Sequence, residues 1–165
     1  MNILLAPTTE LPAVGFLADF NPETRAFLAC FGKYHRPNPG DVLIAEGASQ
    51  DSLYVILSGR LHIVSSAGNR PLLLASLGEG ESIGEVNLFD TGRASASVIA
   101  RTHALIWSLS RNELGNFIQA DPVAGLPLYH GLLRQLSQRI RSMNDKLTTV
   151  ESRRAVGHAD RIRKV

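Results

Sequence analysis

The sequence is poor in the residues that mark several large classes of protein. It contains a single cysteine, Cys30, among 165 residues, and one thiol cannot form an internal disulfide framework. No hydrophobic run approaches the roughly 20 residues that a membrane-spanning helix needs, and the first residues lack the basic opening and long apolar centre of a signal peptide. We therefore expect a cytoplasmic protein that does not partner a membrane.

Charge and catalytic motifs are also sparse. The net charge is only +2, so the protein as a whole has no field that would attract nucleic acid. The five histidines are scattered without the spacing of metal ligands, and there is no Gly-x-Ser-x-Gly nucleophile motif and no Walker loop. We therefore predict a protein that is not an enzyme and that needs no cofactor and no metal.

The residues that are present indicate a mainly β fold. A short helix is predicted after Asn21, a good N-cap, with Pro22 at the first helical position. After Gly32, short runs of valine, isoleucine and leucine are divided every several residues by turn-forming residues, which is typical of strands joined by tight turns. This order predicts an eight-stranded double-sheet jelly roll with a short N-terminal helix and a long C-terminal helix.

Helical signals return near the end of the predicted roll. Ser110 and Glu113 form a capping box that opens a helix. Gly125 and Pro127 are predicted to interrupt the segment that follows. From Leu128 a long helix is predicted to run on.

The long helix carries an apolar seam whose spacings alternate between four and three residues, as in a coiled coil. Its members are Tyr129, Leu133, Leu136, Ile140, Met143, Leu147 and Val150. The seam favours a parallel homodimer through residues 129–150. Leu128 and Leu132 widen the apolar face, so a helix packed on its own barrel stays open as the alternative.

The stretch GESIGEVNLFDTGRASASV, from Gly80 to Val98, reads as an anion-binding loop. Gly84 and Glu85 follow a predicted strand and precede one turn of helix. A helix entered through glycine directs unpaired backbone N–H groups at its own start, where a phosphate would fit. The Glu85 carboxylate cannot favour that phosphate, so it either accepts a hydrogen bond from a sugar hydroxyl or complements the helix dipole.

Five segments together resemble the cyclic nucleotide-binding domain family. They are GDVLIAEG (40–47), DSLYVILSGRLHIV (51–64), LGEGESIGEV (77–86), SASVIA (95–100) and LSRNEL (109–114). The resemblance covers nearly everything from residue 14 to residue 147. It implies a cytoplasmic sensor that binds cyclic AMP or cyclic GMP and signals through its C-terminal helix to an unidentified downstream protein.

The resemblance also implies a domain organisation. We predict a cyclic nucleotide-binding-like domain over 1–150, including the C-terminal helix, and a disordered basic tail over 151–165. The tail has five basic residues against two acidic ones, and chain ends commonly fray. Family members that regulate transcription carry a helix-turn-helix domain after the long helix, and the tail is too short for one, so we expect no DNA-binding domain.

The family's phosphate-binding cassette implies roles for individual residues. The backbone of Gly84, Glu85 and Val86 faces the ligand, and Glu85 accepts from the ribose 2′-hydroxyl. A later arginine pairs with the cyclic phosphate, and residues of the final helix close over the base. The predicted binding residues are Gly84, Glu85, Val86, Arg93, Ser95, Ala96 and Asn144.

The end of the cassette departs from the family pattern. Aligned without a gap from Val98 backwards, Ala94 occupies the arginine position and Arg93 falls on the preceding proline. A shift of one residue turns a side chain to the opposite face of an extended segment. Three readings stay open. A bulge at Gly92 re-aims Arg93 inward, the domain is degenerate and serves dimerisation or protein binding without nucleotide, or the pocket binds a different small anion.

Overall fold

The computed structural model describes residues 3–4, 10–66 and 70–162. Within them the strands are β1 (Ile3–Leu4), β2 (Lys33–His35), β3 (Val42–Ile44), β4 (Ser49–Gln50), β5 (Ser52–Ser58), β6 (Leu61–Ser65), β7 (Leu72–Leu77), β8 (Ser82–Ile83), β9 (Gly92–Arg93), β10 (Ser97–Ala100) and β11 (Leu105–Ser110). The helices are a 3-10 helix (Gly15–Asp19), α1 (Pro22–Ala29), α2 (Glu85–Phe89), α3 (Arg111–Ala120) and α4 (Pro122–Ile162).

The strands form two antiparallel sheets with one shared core. One sheet has the order β1-β2-β11-β5-β8 and the other β3-β10-β6-β7, while β4 and β9 pair in a separate ribbon. The core cluster draws Ile56 and Ile106 from the first sheet and Leu61 and Val98 from the second. The predicted double-sheet jelly roll is confirmed. It has extra strands because two-residue segments such as β4 and β9 also pair with each other.

The helix starts that were predicted from local signals are confirmed. The side chain of Asn21 accepts a hydrogen bond of 2.8 Å from the Thr24 amide at the start of α1. At the start of α3, Ser110 Oγ accepts from the Glu113 amide at 3.3 Å. Glu113 Oε2 accepts in return from the Ser110 amide at 2.7 Å, which completes the capping box.

The predicted interruption before the long helix is wrong, because α4 is one helix from Pro122 to Ile162. Gly125 is a packing residue: a Cβ there would lie 3.1 Å from Ile118 Cγ1 of α3. Pro127 lacks the N–H that would bond to the Val123 carbonyl. Val123 is 75% exposed, so that turn of the helix is open to water, which can bond to its carbonyl in place of the missing N–H.

Backbone contacts divide the chain into two units, Met1–Gly131 and Leu132–Val165, and α4 contributes to both. Its backbone is helical to Ile162 and so covers most of the segment that we predicted to be a disordered tail. The side chains of residues 151–165 lie outside the described residues. The domain boundary at residue 150 stays a prediction.

The two alternatives for the long helix apply to different faces of α4. Leu128, which lies in the first unit, is fully buried, as expected for a helix packed within its own protein. The seam residues Tyr129, Leu133, Ile140 and Met143 are 36% to 62% exposed. The side chains of Leu147 and Val150 lie outside the described residues. Leu136 is half-buried, so most of the apolar seam, rather than all of it, remains uncovered on the described part of this helix.

A buried histidine in the first sheet predicts acid sensitivity. His35 is 6% exposed, and its Nε2 forms a 2.7 Å hydrogen bond with Ser108 Oγ. Burial lowers the pKa of His35, and the nearby charge of Lys33 lowers it further. The folded state therefore resists protonation at His35, so stability is full above the unfolded pKa of about 6.5 and declines below it.

We expect His35→Gln to flatten the pH dependence of the free energy of unfolding between about pH 7.5 and 5, because the titrating group is gone. Urea unfolding across this range measures the slope. The exposed His103 gives the control, since His103→Gln should leave the slope as in the parent protein. Equal slopes in the parent and His35→Gln would contradict the prediction.

Candidate functional site

The anion-binding loop is built around a glycine that no other residue can replace without strain. Strand β8 runs into α2 through Gly84, whose φ is +86°, in the left-handed region that favours glycine. A Cβ on Gly84 would lie 2.2 Å from the carbonyl oxygen of Ser52, the first residue of β5. The start of α2 is thereby pressed against the sheet in a fixed position, and the predicted one-turn helix entered through glycine is confirmed.

Glu85, the first residue of α2, is 2% exposed and lies at the helix end where the first backbone N–H groups have no partner within the helix. This end carries partial positive charge, which favours a carboxylate or a phosphate. Val86, the next residue, is 56% exposed. The helix start thus has a buried acceptor on one side and an open approach on the other.

The opposite end of α2 is held by an arginine that the sequence analysis did not single out. Arg111 Nε donates to the Leu88 carbonyl at 3.0 Å, and Arg111 Nη2 donates to the Phe89 carbonyl. A guanidinium there satisfies carbonyls that a helix C-terminus leaves unpaired and opposes its partial negative charge. The only sequence signal was an arginine directly after the Ser110 cap.

The end of α2 also contacts the start of the apolar seam. The rings of Phe89 and Tyr129 lie 5.7 Å apart at an interplanar angle of 34°. Beside them is a groove of about 340 Å³ lined in part by Leu114 and Ile118 of α3. Both rings belong to the first unit, so the structure links the loop helix to the first seam residue within that unit.

The side chains of Arg93 and Ala94 point to opposite faces of the extended segment, outward and toward the core respectively. Arg93 is exposed, pairs with Ser49 across the β4–β9 ribbon and donates from Nη1 to the Gly47 carbonyl at 2.8 Å. Ala94 packs against the core cluster, and Ala96 is 7% exposed, so every second residue points inward. The inward turn of Arg93 that a bulge at Gly92 would produce is not what the structure shows.

The remaining predicted residues fall in different places. Gly84, Glu85 and Val86 lie at the start of α2, and Ala96 is buried. Ser95 is exposed. Asn144 is exposed on α4 in the second unit, where its carbonyl accepts from Thr148 Oγ1 at 2.7 Å.

This geometry coincides with a family match. A model of the cyclic nucleotide-binding domain matches residues 35–121, more than half of the chain. The chain belongs to the cyclic nucleotide-binding domain family. The resemblance stated from the sequence is confirmed, and the segment from Gly84 to Val98 lies within the matched residues.

Similar proteins agree with this family. The domain is 33% identical over 109 residues to the CRP-like cAMP-activated global transcriptional regulator of Mycobacterium tuberculosis, covering 66% of this chain and 47% of the relative. The structure of this chain resembles a cyclic nucleotide-binding domain from Methylobacillus flagellatus KT. The TM-score is 0.72 and the identity 27%, and the match covers 77% of this chain and 72% of the other. It also resembles the Thermus thermophilus catabolite activator protein, with a TM-score of 0.70, 25% identity, and coverage of 82% and 62%. The chain spans about half the length of the curated relative.

These likenesses support a cyclic nucleotide-sensing regulatory domain, since the matched family is one of ligand-binding domains. Among the described helices, none is both long and apolar enough to cross a membrane. The described part of the chain also holds no group of three histidine, cysteine, aspartate or glutamate side chains placed to bind a metal ion.

Proposed function

We propose that this domain is a non-catalytic sensor that binds cyclic AMP or cyclic GMP at the start of α2 and signals through α4 to a downstream protein. The observation that carries the proposal is the buried Glu85 at a helix N-terminus fixed by Gly84. The similarity to a cAMP-activated regulator supports the same ligand class.

The proposed binding mode follows from the two sides of the helix start. The backbone N–H groups of Gly84, Glu85 and Val86 donate hydrogen bonds to the oxygens of the cyclic phosphate, and the partial positive charge at the start of α2 favours that anion. The Glu85 carboxylate accepts from the ribose 2′-hydroxyl, a donor that the ionised cyclic phosphate does not offer. A buried acceptor next to an anion site therefore selects a ligand that has both groups.

The proposed signal leaves the site through the far end of α2. Arg111 and the Phe89–Tyr129 ring contact tie that end to α3 and to the first seam residue of α4. A nucleotide that shifts α2 changes this contact. The nucleotide favours one arrangement of the helices only if it binds that arrangement more tightly than the other.

Calorimetry with cyclic AMP and cyclic GMP tests the function. We expect binding that weakens about tenfold to a hundredfold in Glu85→Ala, because a hydrogen bond to a charged group contributes about 1.5–3 kcal/mol. Glu79→Ala is the matched control, since Glu79 is an exposed glutamate nearby and its loss should leave affinity unchanged. Equal binding by the parent protein and Glu85→Ala would contradict the proposed site.

One observation favours a second function. The exposed Arg93 and inward Ala94 leave the position of the family's arginine without a positive charge. A domain of this kind can keep its roll and its helix for dimerisation or protein binding while ignoring nucleotides. If calorimetry detects no binding of either nucleotide, both in the parent protein and in the Ala94→Arg variant, the result would favour this interaction module over the sensor.

Both functions use the seam of α4, which we propose to be a homodimer interface. An exposed apolar stripe in coiled-coil register is stabilised when a second helix covers it. We expect Leu133→Glu with Ile140→Glu to convert a dimer into a monomer, because the substitutions bring like charges together in the seam. Sedimentation velocity measures the change, and Gln138→Glu, at an exposed position outside the seam, should remain dimeric. A parent protein that sediments as a monomer would contradict the interface.

A further inference from the structure

Three loops meet at the end of β5 that lies away from Gly84. Strand β5 begins at Ser52, against which Gly84 packs, and ends at Ser58. Seven extended residues separate the two ends by about 20 Å. The loops at the far end comprise residues 36–41, 59–60 and 101–104, which follow β2, β5 and β10.

Backbone contacts fix these loops against one another. Gly59 has φ +91°, and a Cβ there would lie 2.5 Å from the His103 carbonyl oxygen. The Arg60 amide donates to Thr102 Oγ1 at 3.0 Å, and the Arg101 amide donates to the Arg60 carbonyl at 2.8 Å. The Ala104 amide donates to the Pro37 carbonyl at 3.2 Å. These contacts join the three loops into one continuous surface.

The loops line an open pocket of about 460 Å³, which we call the distal pocket. Its apolar wall consists of Pro37, Ala104 and Leu105, and its polar rim includes Arg36 and His103. Small-molecule sites are typically concave and of this size, with apolar walls and a few placed polar groups. The distal pocket fits that description.

The charge on the three loops is mainly positive. Within the described residues, the side chains of Arg36, Arg60, Arg101 and His103 take part in no hydrogen bond or ion pair. The loops contain one acidic residue, Asp41, whose carboxylate accepts from the Asn38 amide at 3.0 Å. Arg25, Arg93 and Arg111, by contrast, each donate to backbone carbonyls. An unpaired arginine in the lining of the pocket, Arg36, with two more arginines on the same loops, favours an anionic ligand.

We propose that the distal pocket binds a small phosphate ester with a compact apolar body. The Arg36 guanidinium matches the geometry of a phosphate and pairs with it through parallel N–H donors. The neighbouring Arg60 and Arg101 attract a ligand that carries two negative charges. Pro37, Ala104 and Leu105 contact the apolar body, which separates this ligand from inorganic phosphate. The site is distinct from the start of α2.

Amide chemical-shift titration with phenyl phosphate tests the proposal. We expect shifts at Asn38, Ala104 and Leu105, and weaker binding of inorganic phosphate because it lacks the apolar body. Arg36→Ala should weaken phenyl phosphate binding at least about tenfold, given the usual strength of a charge-assisted hydrogen bond. Arg70→Ala, which removes an exposed arginine elsewhere, should not.

Three results would overturn the proposal. The first is an absence of shifts in the distal pocket at millimolar phenyl phosphate, and the second is equal weakening by Arg36→Ala and Arg70→Ala, which would indicate diffuse charge attraction. The third is shifts confined to the start of α2, which would place the ligand in the proposed nucleotide site. Saturation with cyclic AMP should leave the phenyl phosphate affinity unchanged, so failure here is separate from failure of the sensor function.

Discussion

Gly84→Ala should destabilise the domain and abolish nucleotide binding together. A left-handed conformation costs an L-residue about 1–2 kcal/mol, and the added Cβ would lie 2.2 Å from the Ser52 carbonyl oxygen. Relieving that clash moves the start of α2 away from β5, so we expect a total loss of more than about 2 kcal/mol. Thermal unfolding should show a melting temperature lower by more than about 5 °C.

Gly78→Ala is the control for this prediction. A Cβ on Gly78 would meet no atom within 4 Å, and its backbone lies outside the positive-φ region. The same chemical change should therefore alter stability by no more than about 0.5 kcal/mol and leave calorimetric binding intact. A Gly84→Ala variant that melts with the parent protein would show that the close approach to Ser52 does not hold α2 in place.

The elements that sequence predicted best are those set by local chemistry. Ser110 and Glu113 lie three residues apart and cap α3 through bonds that involve only each other. The turn at Gly84 also has a local cause, because its left-handed φ is one that glycine adopts without strain. Such signals need no knowledge of distant parts of the chain.

The errors arose where distant residues decide the structure. Gly125 reads as a helix breaker until Ile118 is known to lie close to it, where the small residue gives the neighbouring side chain room. Arg111 reads as an ordinary surface cation, since nothing within α3 reveals that the Leu88 and Phe89 carbonyls lie beside it. In both cases the partner is on another helix.

The directions of Arg93 and Ala94 were predicted partly from local pattern and depend partly on distant contacts. Counting residues from Val98 placed Ala94 at the arginine position, and strand alternation then predicted opposite sides for Arg93 and Ala94. The final direction depended on the pairing of β9 with β4 and on the bond from Arg93 to the Gly47 carbonyl. Those contacts join segments more than 40 residues apart.

Ala94→Arg should restore a charge that the proposed site lacks. Ala94 packs against the core cluster, on the side of the segment opposite to Arg93, and the sequence analysis aligned it with the family's arginine. A charge-assisted hydrogen bond to the cyclic phosphate contributes about 1.5–3 kcal/mol, so we expect affinity for cyclic AMP to rise about tenfold to a hundredfold. Calorimetry of the variant beside the parent protein measures the gain.

The control must add the same charge on the other side of the strand. Ser95 is adjacent and exposed, so Ser95→Arg should leave the affinity for nucleotide nearly unchanged. Arg93→Ala should leave it unchanged as well, because Arg93 already points outward.

Without nucleotide, Ala94→Arg should melt below the parent protein, since an unpaired guanidinium replaces a packed methyl group. Nucleotide should then raise its melting temperature more than that of the parent, as tighter binding to the folded state requires. A loss of affinity in Arg93→Ala would instead show that Arg93 leaves the Gly47 carbonyl to pair with the phosphate.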